Sequence, residues 1–411
     1  MTPTPHDILA LDAADPLRAF RDRFALPPGV IYLDGNSLGA LPTATASAVA
    51  DAVSRQWGEG LIRSWNDAGW MAAAGRVGGK VARLIGAAAH EVVVADSTST
   101  NIYKLLAAGL DARPGRRVIL TEAGNFPTDV YVAQGLSVLA PDVTVRAVPA
   151  EALRSAMTQD VAVVMLTEVH YKTATRHDMA GLTAAAHAAG ALAFWDLSHS
   201  AGAIAVDLRS CGVDMAVGCG YKYLNGGPGA PAFLFVAEAL QTSLRSPLTG
   251  WLGHAAPFAF EADYRPAPDI SCFLCGTPPV LGMTALEVGV DLALEAEIGA
   301  LTAKSAGLWN LFAGQMTQRC GGFGFHLISP ADPARRGSHI AYGHPAAYQI
   351  MQALIARGVI GDFRRPDVLR FGLTPLYLGY GDIWRAVEIL YEIMQDGTWR
   401  NFSADSAGRV T

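Results

Sequence analysis

The chain has 411 residues, 51% of them hydrophobic, with 31 basic against 37 acidic side chains and a formal net charge of −6. That balance argues against the basic face of a nucleic-acid binder, and no apolar run approaches the ~20 residues that a membrane-spanning helix needs. The opening MTPTPHDILALDAADP is polar and acidic, with neither a basic leader nor an apolar signal core, so a cytoplasmic protein is expected.

The first 45 residues carry the extended IYLDGNSLGALP and are expected to pack beside the C-terminal part of the chain. From about residue 90 to 240, short apolar runs alternate with helical patterns. The strand candidates are Glu91–Ala95, Arg117–Thr121, Val143–Val148, Val161–Thr167, Ala191–Asp196, Met215–Gly218 and Ala232–Val236. Between them lie alanine- and leucine-rich helical stretches such as Asn101–Leu110 and Leu182–Ala189. Near-continuous apolar strands separated by helices predict an α/β fold with a mostly parallel central sheet covered by helices, and ligands bind such sheets at the carboxyl ends of the strands. From Val280 one long helix is expected to about Ala300, running on to Leu311, before a strand-and-helix unit that ends in Trp399. The expected division is an N-terminal segment (1–45), a large α/β domain (46–280) and a smaller α+β domain (281–411).

The residues that follow the strands carry the chemistry. Asp96-Ser97-Thr98-Ser99-Thr100-Asn101 opens straight into a helix. One hydroxyl suffices for an N-cap; four together beside a sheet edge point to phosphate held by helix N–H groups. GRVGGKV (75–81) lacks the spacing and the hydroxyl of a nucleotide-binding loop. In Asn125-Phe126-Pro127-Thr128-Asp129 the proline starts a helix, and the phenylalanine before it is placed to stack on a flat ring. Asp196 ends an apolar strand, where a bare carboxylate is costly unless paired, and His199 follows three residues on.

Only five of the basic residues are lysines: Lys80, Lys104, Lys172, Lys222 and Lys304. Lys80 and Lys304 fall in helical patterns and are expected to reach water along their stems. Lys104 lies inside the helix after the hydroxyl cluster, and Lys172, among polar residues, is the one rival to Lys222. Lys222 sits between Tyr221 and Tyr223, after an apolar strand and before Asn225-Gly226-Gly227-Pro228-Gly229. An apolar strand desolvates the amine and favours the neutral form that imine chemistry requires. Phosphate site, aromatic plate, carboxylate and amine in this order describe a pyridoxal 5'-phosphate site. No metal site is expected, because the ten histidines include no HExxH and Cys272/Cys275 form a lone CxxC among five cysteines.

Along nearly its whole length the chain resembles the kynureninase family, closest to bacterial members. The segments that carry the resemblance are YLDGNSLGALP, WGEGLIRSWN, STSTN, NFPTD, VMLTEVHYKT, DLSHSAG, YKYLNGGPG, LTGWLGH, CGTPP, RGSHI and VLRFGLTPLY. The resemblance implies a fold-type I pyridoxal-phosphate-dependent transferase fold of the class V aminotransferase kind. It also implies the hydrolase reaction that cleaves L-kynurenine to anthranilate and L-alanine in tryptophan catabolism. It implies Lys222 as covalent anchor of the cofactor, Asp196 as partner of the pyridine nitrogen, and Phe126 as the stacking ring. Thr98, Ser99 and Tyr221 would bind phosphate, joined by Trp251 and Thr277 from the neighbouring subunit of a homodimer. Asp129, Thr167 and His199 would line the cofactor site, and Tyr221 would also relay a proton. Arg370 would grip the substrate carboxylate, with Ser37 and Trp65 around the substrate; Trp65 and Thr277 match the bacterial pattern and lean toward kynurenine over its 3-hydroxy form. Two departures stand out: Leu252 where the family has phenylalanine, and Glu168 with His170 in a loop without an assigned role. The competing readings are another class V enzyme, an aminotransferase or a cysteine desulfurase using Cys320, and an inactive cofactor-binding scaffold.

Overall fold

The structure is a computed structural model and describes residues 4–403. Of the expected ranges 1–45 and 281–411, residues 1–3 and 404–411 lie outside the described residues. The N-terminal helix Pro5–Ala14 begins at a capping box, Thr4 with Asp7, and is followed by the short strand β1 (Ile31–Tyr32). Seven strands then form the large sheet: β2 (Val92–Val94), β3 (Val118–Glu122), β4 (Thr144–Val148), β5 (Val161–Thr167), β6 (Leu192–Asp196), β7 (Met215–Gly218) and β8 (Phe233–Val236). All seven expected strands form, within one or two residues of their expected ends.

Their spatial order is β2-β8-β7-β6-β5-β3-β4. Pairing is parallel from β4 through β7, whereas β8 runs antiparallel to both of its neighbours. Six strands therefore share one direction, and their carboxyl ends share one edge. The central strands are buried along their whole length, which is why they read as continuous apolar runs rather than alternating ones. Helices Thr98–Asp111 and Met179–Ala188 contribute buried faces to the same core and start at the caps Ser97 and Asp178.

The expected long helix after Val280 is two helices, Val280–Glu295 and Ile298–Cys320. The break comes at Glu297, whose carboxylate accepts the N–H groups of Gly299 (2.9 Å) and Ala300 (2.7 Å) and so caps the second helix. A four-stranded antiparallel sheet follows, built from β9 (His326–Leu327), β10 (His339–Gly343), β12 (Asp362–Arg364) and β13 (Val368–Gly372), in the order β12-β13-β10-β9. β11 (Val359–Ile360) pairs in parallel with β1. A second apolar core joins this sheet to helices Ile298–Cys320, Ala347–Ala356 and Tyr380–Asp396. The N-terminal residues Ile8, Leu17, Phe24, Leu33 and Ala40 belong to that core.

Two lysines are buried with carboxylate partners, the first of them against expectation. Lys304 is buried and pairs with Asp15 at 2.6 Å instead of reaching water. Lys104 is fully buried, bonded to the Asp96 carboxylate and to the Phe273 carbonyl (2.7 Å). In each case a carboxylate, Asp15 at the end of the N-terminal helix or Asp96 in the loop before the Lys104 helix, offsets the desolvation of the amine.

Candidate active site

Strand register assembles the site at the shared carboxyl edge. Thr167 ends β5 directly opposite Asp196, which ends β6, and Asp196 is opposite Val217 of β7. The loop after β7 then carries Tyr221 and Lys222. It turns back into β8 through Gly227 and Gly229, whose φ angles of +82° and +73° suit glycine. Thr167, Asp196, Tyr221 and Lys222, with Thr98, Ser99, Phe126, Asp129 and His199, line one cavity of about 240 Å³. Thr128, Tyr171 and Ser198, none of them expected from the sequence, complete its walls.

The hydroxyl cluster divides its labour. Ser97 caps the 14-residue helix by accepting the Thr100 N–H (3.3 Å) and lies 3.0 Å from the Thr100 hydroxyl, leaving Thr98 and Ser99 to face the cavity from the first helical turn. Across from them, the Phe126 ring is fixed by Asn125, whose side chain accepts the Phe126 N–H (2.8 Å) and donates to Thr121 (3.0 Å). The Tyr171 ring meets Phe126 edge-on at 5.3 Å.

Lys222 Nζ lies 5.8 Å from the Phe126 ring centroid and 3.1 Å from His199 Nε2. Burial, and then the charge of Lys222, hold the His199 imidazole well below its usual range, so the ring is neutral and its Nε2 accepts from the amine. Asp196 is buried and accepts the Ser198 N–H at 2.7 Å. Burial, and then the neighbouring Asp196, push the Asp129 carboxyl well above the carboxylate range, which leaves it a proton to share with Asp196. Burial also raises the Tyr221 phenol, with Cys219 and Asp196 adding to the effect, so Tyr221 stays protonated. Among the described residues, Thr167 Oγ1 and His199 Nδ1 are buried without a protein partner. Amine, carboxylate, flat aromatic ring, helix N–H groups and unpartnered polar atoms in one cavity fit a phosphorylated pyridine aldehyde.

The remaining expected site residues do not line this cavity. Arg370 and Ser37 are bonded to each other, Nη2 to Oγ at 2.8 Å, and Arg370 Nη1 donates to the carbonyl of Tyr171. Trp65 and Trp251 meet edge-on at 6.0 Å, and Trp251 also contacts Phe258. Thr277 is exposed. Leu252 is buried in the large core, with Cys272 and Phe273. The loop left without a role has a structural one. Buried Glu168 pairs with Arg176 at 2.8 Å, and His170 joins Gly124 (2.8 Å) while its other nitrogen accepts the N–H groups of Lys172 and Thr173. Cys320 ends a helix, buried, its thiol pushed up to about 12 by desolvation, the opposite of an activated nucleophile.

Residues 301–390 match the family described as Kynureninase C-terminal domain. Over 402 residues the chain is 50% identical to the Kynureninase of Pseudomonas fluorescens, covering 96% of this chain and 97% of that one. Identity to the Kynureninase of Burkholderia mallei (strain SAVP1) is also 50%, over 404 residues and 97% of each chain. Among solved structures, an apo cysteine desulfurase from Thermococcus onnurineus NA1 superposes with a TM-score of 0.78 at 16% identity, covering 96% of this chain and all of that one. A lysine-to-alanine mutant of C-DES, with glycine covalently linked to its PLP cofactor, gives 0.76 at 16% identity, over 95% of this chain and all of that one. At such identities the likeness to these structures is one of fold.

Proposed function

The chain belongs to the kynureninase family, and we propose that the cavity around Lys222 is where it hydrolyses L-kynurenine to anthranilate and L-alanine. The observation that carries this assignment is the placement of Lys222 Nζ. It is buried, 3.1 Å from a neutral histidine, in one cavity with Asp196, Phe126 and the hydroxyls of Thr98 and Ser99.

Pyridoxal 5'-phosphate is the cofactor, and when bound it supplies the electron sink that stabilises negative charge beside the substrate's amino group. Thr98 and Ser99 would hold its phosphate at the helix N-terminus, with Tyr221 beside them. Phe126 would stack on its ring, and Asp196, held in place by the Ser198 N–H and the proton on Asp129, would keep the ring nitrogen protonated. Lys222 would anchor the cofactor through its amine, and that same amine would serve as the base for the proton at the substrate's Cα. His199, neutral, accepts from that amine without competing for its proton. Tyr221 keeps its phenolic proton and delivers it where the departing Cβ needs one. Water adds to the γ-carbonyl; collapse of the hydrate breaks Cβ–Cγ and releases anthranilate, and protonated Cβ becomes the methyl of alanine.

Arg370 receives the substrate carboxylate, with Ser37 and Trp65 nearby. Trp251 and Thr277 complete the phosphate site from a second copy in a homodimer. Exposed apolar side chains on the described surface support the dimer: Phe258, in contact with Trp251, is 64% exposed and Phe260 81%. The site then lies where the large domain, 46–280, meets the smaller one. We place the protein in the cytoplasm, in keeping with five unpaired cysteines and no described helix long and apolar enough to cross a membrane.

The test is direct. Purified protein loaded with cofactor releases anthranilate from kynurenine, and Lys222→Ala abolishes turnover while the protein stays folded. Turnover at the unaltered rate in that variant overturns the assignment.

A further inference from the structure

Arg370 lies on β13 directly across from Asp362 on β12, so backbone pairing brings the two side chains together. Arg370 Nε donates to Asp362 Oδ1 at 2.8 Å and Nη2 to Oδ2, a bidentate fork on a carboxylate that is itself fully buried. Ser37 donates to the same carboxylate at 2.8 Å and accepts from Arg370 Nη2, tying in the N-terminal segment. A second guanidinium, Arg364, reaches Asp362 Oδ2 at 2.6 Å, and its Nε is buried without a partner. Nη1 of Arg370 points the other way, to the carbonyl of Tyr171, whose side chain walls the cavity.

The charges do not balance. Arg364 and Arg370 bring two positive charges and Asp362 one negative. The fourth member is Asp34, whose carboxyl is pushed up to about 7 by burial and then by Asp362, so at neutral pH it offsets only part of the excess. Arg370 and Asp362 are buried while Arg364 is 39% exposed, so the surplus positive charge sits at the open side of the cluster, where one more carboxylate can reach it.

We propose that Asp362 is a positioning residue for substrate binding: by holding Nε and Nη2 of Arg370 it turns the Nη1 edge of that guanidinium toward the cavity, and by binding Arg364 it keeps a second cation beside the incoming α-carboxylate. This rests on the reading of Arg370 as the carboxylate-binding residue. Asp362 does not touch the substrate; it fixes the direction of the group that does. A guanidinium free to rotate loses the bidentate geometry on which recognition of a planar anion depends.

The test uses the full-length, cofactor-loaded enzyme with Asp362→Asn, Arg370→Ala, the double variant and Ser37→Ala. Steady-state rates with kynurenine are measured together with inhibition by the analogue that lacks the α-carboxylate. Asp362→Asn is expected to raise KM on the order of 10- to 100-fold with kcat little changed, and to leave affinity for the carboxylate-free analogue as it was. In the Arg370→Ala background it should have no further effect. Ser37→Ala, which leaves no buried charge unpaired, covers the case in which Asp362→Asn does not fold; it is expected to raise KM about threefold. An unchanged or lowered KM in Asp362→Asn, or an unchanged one in Ser37→Ala, overturns the inference while Arg370→Ala still loses the carboxylate preference. If Arg370→Ala itself keeps that preference, the reading of Arg370 fails, and the positioning role with it.

Discussion

Gly39 offers a stringent test of how the lysine is held. It lies in the N-terminal segment, against the loop that follows β7, and its N–H donates to the Tyr221 carbonyl at 2.8 Å. A Cβ built there would stand 2.6 Å from Asn225 Oδ1 and 2.8 Å from Asn225 Cα, and closer still to the carbonyl oxygen of Lys222. Carbon atoms pack at ~3.5 Å or more, so Gly39→Ala forces the two segments apart by roughly 1 Å. Gly39 has no left-handed φ, so the whole penalty is steric. Overpacking of this kind costs about 1–3 kcal/mol, and stretching the Gly39–Tyr221 hydrogen bond adds about 1 kcal/mol. The urea midpoint should fall accordingly, by a loss of about 2–4 kcal/mol in all. Displacing the backbone of Tyr221 and Lys222 by that distance should lower kcat on the order of 100-fold, read as anthranilate release at saturating kynurenine. Unaltered stability and turnover in Gly39→Ala would show that the N-terminal segment does not brace the lysine loop.

Other outcomes follow from the charged groups. Lys104→Met leaves Asp96 and the Phe273 carbonyl without their buried partner, and is expected to cost about 3 kcal/mol in urea unfolding; folded protein that binds cofactor should keep measurable turnover, in contrast to Lys222→Ala. The Asp34 carboxyl, pushed up to about 7 in the folded state, holds a proton that the unfolded chain releases near pH 4. Stability should therefore decline as pH rises from about 4 to 7, and Asp34→Asn should flatten that slope in urea midpoints measured across the range. Tyr221→Phe removes the phenolic proton but keeps the ring; kcat should fall at least 10-fold with cofactor binding largely preserved, and an unchanged kcat would exclude the relay.

The large sheet was legible because its central strands are buried on both faces and so leave no alternation to misread. The cavity was legible because each strand end announced itself: hydroxyls at 97–100, Phe126 before Pro127, Asp196 after Trp195, Lys222 before a glycine-rich turn. What stayed hidden depends on partners distant in sequence. Lys304 reads as a surface residue of a helix until Asp15, nearly three hundred positions earlier, is brought against it. The break between the helices at Val280–Glu295 and Ile298–Cys320 hides in an alanine-rich stretch, because glutamate at a cap position looks like any helical glutamate. Tyr171 serves through its carbonyl as well as its ring, and a backbone carbonyl leaves no trace in composition. Asp362 leaves only a faint trace in the sequence: a carboxylate two residues before Arg364 and eight before Arg370, across a short hairpin.

The connection between β7 and β8 joins two adjacent antiparallel strands, so the lysine loop is pinned at both ends by hydrogen-bonded neighbours. Its backbone also carries the Gly39 contact on one side. A loop so tethered cannot swing as a lid does. On the proposed roles of Lys222, the amine would pass from anchor to base by torsions of its own four methylenes alone, a short arm pivoting on a fixed shoulder.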